Sequence, residues 1–165
     1  MKTTISDEAL NLLAELSEGY PHFVQQFAYS AFEADNDDVI DVIDVLEGSY
    51  GESGAIAQLG EKYFYEMYYG RISSDDYRTV LDAMARYGDR WVSRKEIVEE
   101  SGVKPTSVTN ALSALKGRNI ILSDPSRQGY YKLPTKSFAA WINAIKSVEE
   151  RKGSDLQLQL NSDGD

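Results

Sequence analysis

The chain has 165 residues and no cysteine, which excludes disulfide bonds and thiolate metal sites. Its hydrophobic share of 42% and charged share of 27% are ordinary globular values, so one large domain or two small ones can fold. With His22 as the single histidine, we predict no metal site. No apolar run reaches the length of a bilayer span and no signal-peptide core is present, which predicts a cytoplasmic protein without a membrane partner.

The net charge of −10 is distributed unevenly along the chain. Residues 1–85 carry 4 Lys/Arg and 17 Asp/Glu, whereas residues 86–146 carry 11 Lys/Arg and 5 Asp/Glu. Such asymmetry is typical of a protein whose basic part faces nucleic acid. A basic surface that is simply solvated would give the same counts.

Apolar residues recur with helical spacing from residue 9 to residue 84, and the sequence therefore predicts only helices in the first 88 residues. The helical stripes are Ala9, Leu12, Leu13 and Leu16; Val24, Phe27, Ala28 and Ala31; Ile56, Leu59, Tyr63 and Met67; and Tyr77, Val80, Leu81 and Met84, the last predicted to face inward. The β-branched character of Val39, Ile40, Val42, Ile43 and Leu46 would suit a strand, but their period of three favours a helix. Gly19 and Pro21 separate the first two helices. The segment from Gly48 to Gly54 predicts a linker or an exposed loop.

Two helices joined by a tight turn are predicted between Ser93 and Lys116. Ser93 and Glu96 have the Ser-x-x-Glu spacing of a capping box, which satisfies two backbone amides at a helix start. Gly102 lies where the chain must reverse, a position that favours positive φ. Pro105 suits the first turn of the second helix.

A β-hairpin is predicted next, with Ile120–Ser123 pairing with Tyr130–Leu133 around a turn that contains Pro125 and Gly129. The order of helix, turn, helix and two-stranded wing is that of a winged helix-turn-helix, which puts one helix into the major groove of DNA. The fold class predicted from the sequence is therefore mainly α, with a helical bundle followed by a winged helix-turn-helix and its small hairpin.

The second helix of this motif has an apolar inner face and a polar outer face. The inner residues are Val108, Ala111, Leu112 and Leu115, and the outer residues are Thr106, Ser107, Thr109, Asn110, Ser113 and Lys116. Asparagine can read adenine with two hydrogen bonds, and serine or threonine can contact phosphates or base edges. The basic residues expected to contact phosphates are Arg94, Lys95, Lys104, Lys116, Arg118, Arg127 at the wing tip, and Lys132. A polar surface helix that docks a protein stays open as an alternative, since the outer face has no arginine.

These patterns divide the chain into three predicted segments. Residues 1–70 are predicted to form a helical domain, and residues 71–150 are predicted to form the winged-helix domain. Residues 151–165 are polar and predict a disordered tail.

The chain from about residue 5 to residue 146 resembles the C-terminal half of an AAA+ family ATPase. Leu13 to Phe27 is similar to the helical lid, whose second-sensor motif of Gly-x-Pro-Arg type matches Gly19, Pro21 and the following His22. The winged helix, including Phe138 to Ile142 after it, looks like the module that follows the lid in archaeal, bacterial and origin-recognition-type members.

The resemblance implies a part of an ATPase rather than a whole one. The Gly-x-x-x-x-Gly-Lys-[Ser/Thr] phosphate loop is absent, so we predict a non-enzymatic chain without a cofactor, where ATP would bind only if the missing ATPase core were present. The family's second-sensor arginine contacts the γ-phosphate; here its position holds His22, which we expect to be a partly buried capping residue beside Pro21.

The function predicted from the sequence is a C-terminal, non-catalytic part of an AAA+ type ATPase whose winged helix binds double-stranded DNA. The alternative is a docking module in which the winged helix contacts a partner protein or the ATPase core. A catalytic domain ranks last, because the acidic residues from Asp35 to Asp44 lack the His or Lys partners that acid–base chemistry needs.

Overall fold

A computed structural model of the protein describes the backbone of residues 3–162 and the side chains of residues 3–154. Over these residues the fold is mainly helical, with one parallel strand pair and one three-stranded antiparallel sheet. The chain divides into two compact units. The first unit contains the chain up to Ser73 together with Thr135–Phe138, and the second contains Ser74–Pro134 and the chain from Ala139 onward.

The first unit begins with two helices, α1 (Asp7–Ser17) and α2 (Pro21–Ala34). The Ser6 side chain accepts a hydrogen bond from the Ala9 amide and caps α1, and left-handed Glu18 and Gly19 reverse the chain before Pro21. The buried face of α2 differs from the predicted one. Val24 is 45% exposed, and Phe23 is buried in its place beside Phe27 and Ala31.

A pair of two-residue strands contradicts the prediction that the first 88 residues are all helical. The strand β1 (Thr4–Ile5) pairs in parallel with β2 (Val39–Ile40), with Thr4 opposite Val39. The β-branched Val39 and Ile40 take up extended backbone because β1 offers a partner, and this pairing outweighs their helical spacing. The helix α3 (Val42–Tyr50) starts only after them, at a capping box formed by Asp41 and Asp44.

The prediction of a linker or an exposed loop from Gly48 to Gly54 is confirmed as an exposed loop only for Gly51–Ser53, and it is wrong for the residues at both ends. Gly48 and Ser49 lie in the last turn of α3, and both are buried, as is Gly54. A Cβ atom on Gly48 would overlap the carbonyl group of Ser30 in α2 and lie 2.7 Å from the Ala31 amide nitrogen. Gly48 therefore allows close contact between the backbones of α2 and α3.

The next helix contains wide turns that shift its buried face by one residue. It begins as α4 (Ala55–Leu59) and continues as two π-helical segments, Gly60–Phe64 and Glu66–Gly70. The α-helical spacing predicted that Tyr63 and Met67 face inward after Leu59. Phe64 and Tyr68 are buried in their place, because a π-helical turn uses one more residue than an α-helical turn.

Residues from far along the chain complete the first unit. Phe138 is fully buried and its ring lies 5.1 Å from the ring of Phe64, while the backbone amide of Lys136 donates to the carboxylate of Glu18. The predicted boundary at residue 70 is close to the observed one at Ser73, but the predicted second domain wrongly included Thr135–Phe138.

The last helix, α8 (Lys136–Ser162), corrects the prediction of a disordered tail for residues 151–162. The helix continues past Arg151 through Lys152 and the alternating Leu and Gln residues 156–160, which are good helix formers. Residues 163–165 of the predicted tail lie outside the described residues.

In the second unit, two helices and a sheet follow α5 (Asp75–Ala85). The helices are α6 (Arg94–Ser101) and α7 (Pro105–Gly117). The strands are β3 (Val92–Ser93), β4 (Leu122–Ser123) and β5 (Tyr130–Lys132), and β5 lies between the other two. The predicted hairpin is confirmed, with Leu122 opposite Lys132, whereas the pairing of β3 with β5 was not predicted.

Candidate functional site

The helix pair α6–α7 is fixed by the local signals that the sequence contains. The Ser93 hydroxyl accepts from the Glu96 amide, and the Glu96 carboxylate accepts from the Ser93 amide at 2.8 Å, which confirms the predicted capping box. Gly102 ends α6 with a φ of 65°, and Pro105 is the first residue of α7. The turn between the helices is therefore short and specified at both ends.

The helix α7 is buried on one face and open on the other. Val108, Ala111, Leu112 and Leu115 are buried, as predicted, and they hold the helix against the rest of the unit. The opposite face is exposed, apart from half-buried Ser107, and it consists of Thr106, Ser107, Thr109, Asn110, Ser113 and Lys116. The outer face of α7 is thus a row of small hydrogen-bonding side chains that ends at a cation.

Arg94 connects the start of α6 to the first turns of α7 through two side-chain hydrogen bonds. Its Nε donates to Thr109 Oγ1 at 2.8 Å, and its Nη2 donates to the Pro105 carbonyl at 3.1 Å. Thr109 Oγ1 also donates to the Pro105 carbonyl at 2.9 Å. The Thr109 hydroxyl is therefore engaged within the protein, and of the predicted base-reading residues it is the least available to a ligand.

The turn between β4 and β5 is organised by Asp124. Its Oδ1 accepts from the backbone amides of Ser126 and Arg127 and from the Ser126 hydroxyl, while its Oδ2 accepts from Arg127 Nε at 2.7 Å. The guanidinium of Arg127 also lies over the ring of Tyr130, 4.4 Å from its centroid. These hydrogen bonds, those of Ser126 first, lower the pKa of Asp124 to about 2, so the turn between β4 and β5 carries an anion beside its cation.

The basic residues of the second unit fall into two groups. Those with a carboxylate partner include Arg86 with Glu100, Arg90 with Glu96, Lys95 with Glu99 and Arg127 with Asp124. Within the described part of the chain, the predicted contact residues without a carboxylate within 4.0 Å are Arg94, Lys104, Lys116 and Lys132. Lys104 precedes α7 and Lys116 lies in its last turn, so the outer face of α7 has a cation at each end.

The structure brings most of the predicted contact residues onto α7 and its two ends. Arg94 and Lys95 lie in the first turn of α6, Lys104 is the N-cap of α7, and Arg118 is its C-cap. Arg127 lies in the turn between β4 and β5, and Lys132 ends β5, where its ammonium lies 5.2 Å from the Trp91 ring centroid. Lys132 is half-buried, so part of its side chain serves packing.

The second-sensor-like motif lies in the first unit. Gly19 has a φ of 76°, and Pro21 is the first residue of α2. His22 is exposed, and the N-cap of α2 is Tyr20, so the prediction of a partly buried capping histidine is wrong. The His22 ring instead lies 5.0 Å from the Phe23 ring and 5.4 Å from the Tyr63 ring.

Asp124 is the residue of this region that the sequence reasoning missed. The signal was present, since Asp followed by Pro and Ser is typical of a turn in which the aspartate accepts backbone amides two and three residues ahead. The ion pair between Arg127 and Asp124 was not predicted, because it depends on the path of the turn between β4 and β5.

No protein-family model, curated protein or solved structure matches this chain. Among the described residues, no helix combines the length and the apolar character needed to cross a bilayer. Over the same residues, no cluster of three or more His, Asp or Glu side chains is placed to hold a metal ion.

The capping box of α6 predicts a specific dependence of stability on pH. Hydrogen bonds from the Ser93 amide and hydroxyl, and then from Arg90, lower the pKa of Glu96 from 4.5 to about 2. Because the folded state favours the ionised carboxylate, Glu96 adds to the free energy of unfolding above pH 4.5. This stabilisation is lost as the pH falls towards 2. Urea unfolding should therefore show that Glu96→Gln destabilises the protein at pH 7, and that the difference from the unsubstituted protein shrinks towards pH 2.5. An equal difference at both pH values would contradict this assignment.

Proposed function

We propose that the second unit is a winged helix-turn-helix that binds double-stranded DNA with α7 in the major groove. The observation that carries the proposal is the outer face of α7, where Thr106, Asn110 and Ser113 are exposed between Lys104 and Lys116. Polar side chains of this size can reach base edges, and cations without carboxylate partners can neutralise phosphates.

The order of the elements supports this proposal. The helix α5, strand β3, helices α6 and α7, and hairpin β4–β5 follow one another as they do in a winged helix-turn-helix. The Arg94 amide donates to the Gly129 carbonyl at 2.8 Å, which attaches the wing turn to the start of α6. The wing is therefore held close to the helix pair and would lie beside α7 on a duplex.

The first unit supports a second part of the proposal, which concerns the class of protein to which the chain belongs. We propose that the chain is the C-terminal, non-catalytic part of an AAA+ type ATPase, with the first unit as its lid. Gly19 at positive φ and Pro21 at the start of α2 support this, as does the position of exposed His22 in the first helical turn. The proposal includes no hydrolysis of ATP by this chain, because its sequence has no phosphate loop.

The experiment that tests DNA binding is fluorescence anisotropy of the whole chain with short labelled duplexes at several salt concentrations. We expect weak binding at moderate salt, because the first 85 residues carry 17 acidic side chains that repel phosphate. The logarithm of the affinity should fall with the logarithm of the salt concentration by roughly 0.9 per phosphate contact. If the chain does not bind any duplex at low salt, the DNA proposal fails and protein docking by the winged helix becomes the better account.

Asn110 provides a sharper prediction on base recognition. It is exposed near the middle of α7 and makes no side-chain hydrogen bond to another described residue, so its amide is available to an adenine. After selection of a preferred duplex from a random pool, Asn110→Ala should lose about 1–3 kcal/mol of discrimination against a G·C exchange at one position. Lys116→Gln is the matched comparison, since a phosphate contact should weaken every duplex equally. Unchanged discrimination in the Asn110 variant would remove it from base recognition.

A further inference from the structure

The outer face of α3 displays three large apolar side chains to solvent. Ile43, Leu46 and Tyr50 are 61%, 44% and 56% exposed. Their spacing of three and four residues places them on one face of the helix. Single exposed apolar residues are common on proteins, but a row of them along one helix face indicates a surface that a partner covers. We refer to these three residues as the α3 stripe.

The α3 stripe cannot be buried by rotation of the helix. Val45 and Ser49 on the opposite face are fully buried, and Gly48 lies against the backbone of α2. The capping box of Asp41 and Asp44 fixes the first turn, with the Asp41 amide donating to Asp44 Oδ2 at 2.8 Å. The stripe is therefore presented by a helix whose orientation the rest of the first unit sets.

The charge around the α3 stripe selects the kind of partner. Residues 3–73 contain 14 Asp/Glu and only two basic residues, Lys62 and Arg71. On α3 itself, exposed Glu47 lies next to the stripe and exposed Asp41 precedes its first turn. A partner of negative charge, such as a nucleic acid or an anionic lipid surface, would be repelled from this unit.

We infer that the α3 stripe docks a basic amphipathic helix of a partner protein. Apolar residues at intervals of three and four on the partner would pack on Ile43, Leu46 and Tyr50, as in the seam of a coiled coil. Lysine or arginine residues beside that seam would meet Asp41 and Glu47 and would set the preference for a basic partner. This surface belongs to the first unit, so its test is independent of DNA binding by the second.

The test uses the whole chain and a labelled synthetic helix with leucine at the seam positions and lysine beside them. We expect saturable binding by fluorescence anisotropy, weakened by added salt. The double variant Ile43→Ser/Leu46→Ser should bind at least about tenfold more weakly, because central apolar anchors carry most of the affinity of such interfaces. Both side chains are exposed, so the variant's circular dichroism should match that of the unsubstituted protein.

Three controls decide the outcome. Val24→Ser/Phe32→Ser removes two apolar residues of similar exposure from α2, 45% and 52%, and should bind the peptide normally. A peptide of the same composition in scrambled order, and one with glutamate in place of lysine, should bind at least about tenfold more weakly. Equal binding by the α3 variant or by either control peptide overturns the inference. It is also overturned if sedimentation shows that the chain dimerises and that Ile43→Ser/Leu46→Ser abolishes the dimer, since a second copy would then be the occupant.

Discussion

Gly48→Ala should destabilise the first unit by about 1–3 kcal/mol, although alanine is normally the better helix former. The three atoms nearest to an added Cβ are Ser30 O, Ser30 C and Ala31 N, all in the backbone of α2. Backbone atoms cannot turn away as a side-chain tip can, so α2 and α3 would have to separate. Separation would open a gap beside Val45 and Phe27, which are fully buried.

Gly117→Ala is the matched control for this substitution. Gly117 is also a helical glycine, in α7, but an added Cβ there meets no atom within 4 Å. The control should be neutral or stabilise by up to about 1 kcal/mol. Because the two glycines lie in different units, the measurement is urea-dependent amide exchange read separately for α2–α3 and α7. A Gly48 variant as stable as the unsubstituted protein would refute the proposed close packing.

The double charge reversal Lys104→Glu/Lys116→Glu should reduce DNA affinity by roughly 100-fold at low salt. Both lysines flank the outer face of α7, and neither has a carboxylate partner among the described residues. The substitution removes two phosphate contacts and brings two anions to the edge of the duplex. The salt dependence should flatten at the same time, because fewer counterions are released.

A second double variant separates this local effect from the change in net charge. Arg151→Glu/Lys152→Glu alters two exposed basic residues of α8 and, like the first variant, takes the net charge from −10 to −14. It should weaken DNA binding only through the long-range field, by a small factor. If both variants lose the same affinity, DNA binding depends on overall charge and α7 is not the contact surface.

The features that the sequence predicts well are those decided within a few residues. The Ser93–Glu96 capping box, the left-handed Gly102 and Pro105 at the start of α7 depend on hydrogen bonds and dihedral angles that span less than two helical turns. The buried face of α7 was also predictable, since its apolar spacing has no competing pattern. These signals gave the helix pair and the hairpin, and with them the outer face of α7.

The features that were missed depend on contacts between distant parts of the chain or on small changes in helix geometry. The β-branched Val39 and Ile40 suit a strand in sequence as well as a helix, and the pairing with Thr4 and Ile5 decides for the strand. Phe64 is buried where the α-helical spacing predicted Tyr63, because the helix has a wide turn at this point. Residue spacing alone does not reveal such a turn. In the candidate site, the ion pair between Arg127 and Asp124 could not be predicted, because it depends on the path of the turn between β4 and β5.

The return of Thr135–Phe138 to the first unit affects how the protein folds during its synthesis. Domains usually fold in the order in which they leave the ribosome. Here Phe138, which is fully buried against Phe64, is made only after all of residues 74–134. The nascent first unit therefore lacks part of its core while the segment of the second unit is translated. A chaperone that protects exposed aromatic surface would meet it in that interval, and a ribosome stalled before residue 138 would carry an incomplete first unit.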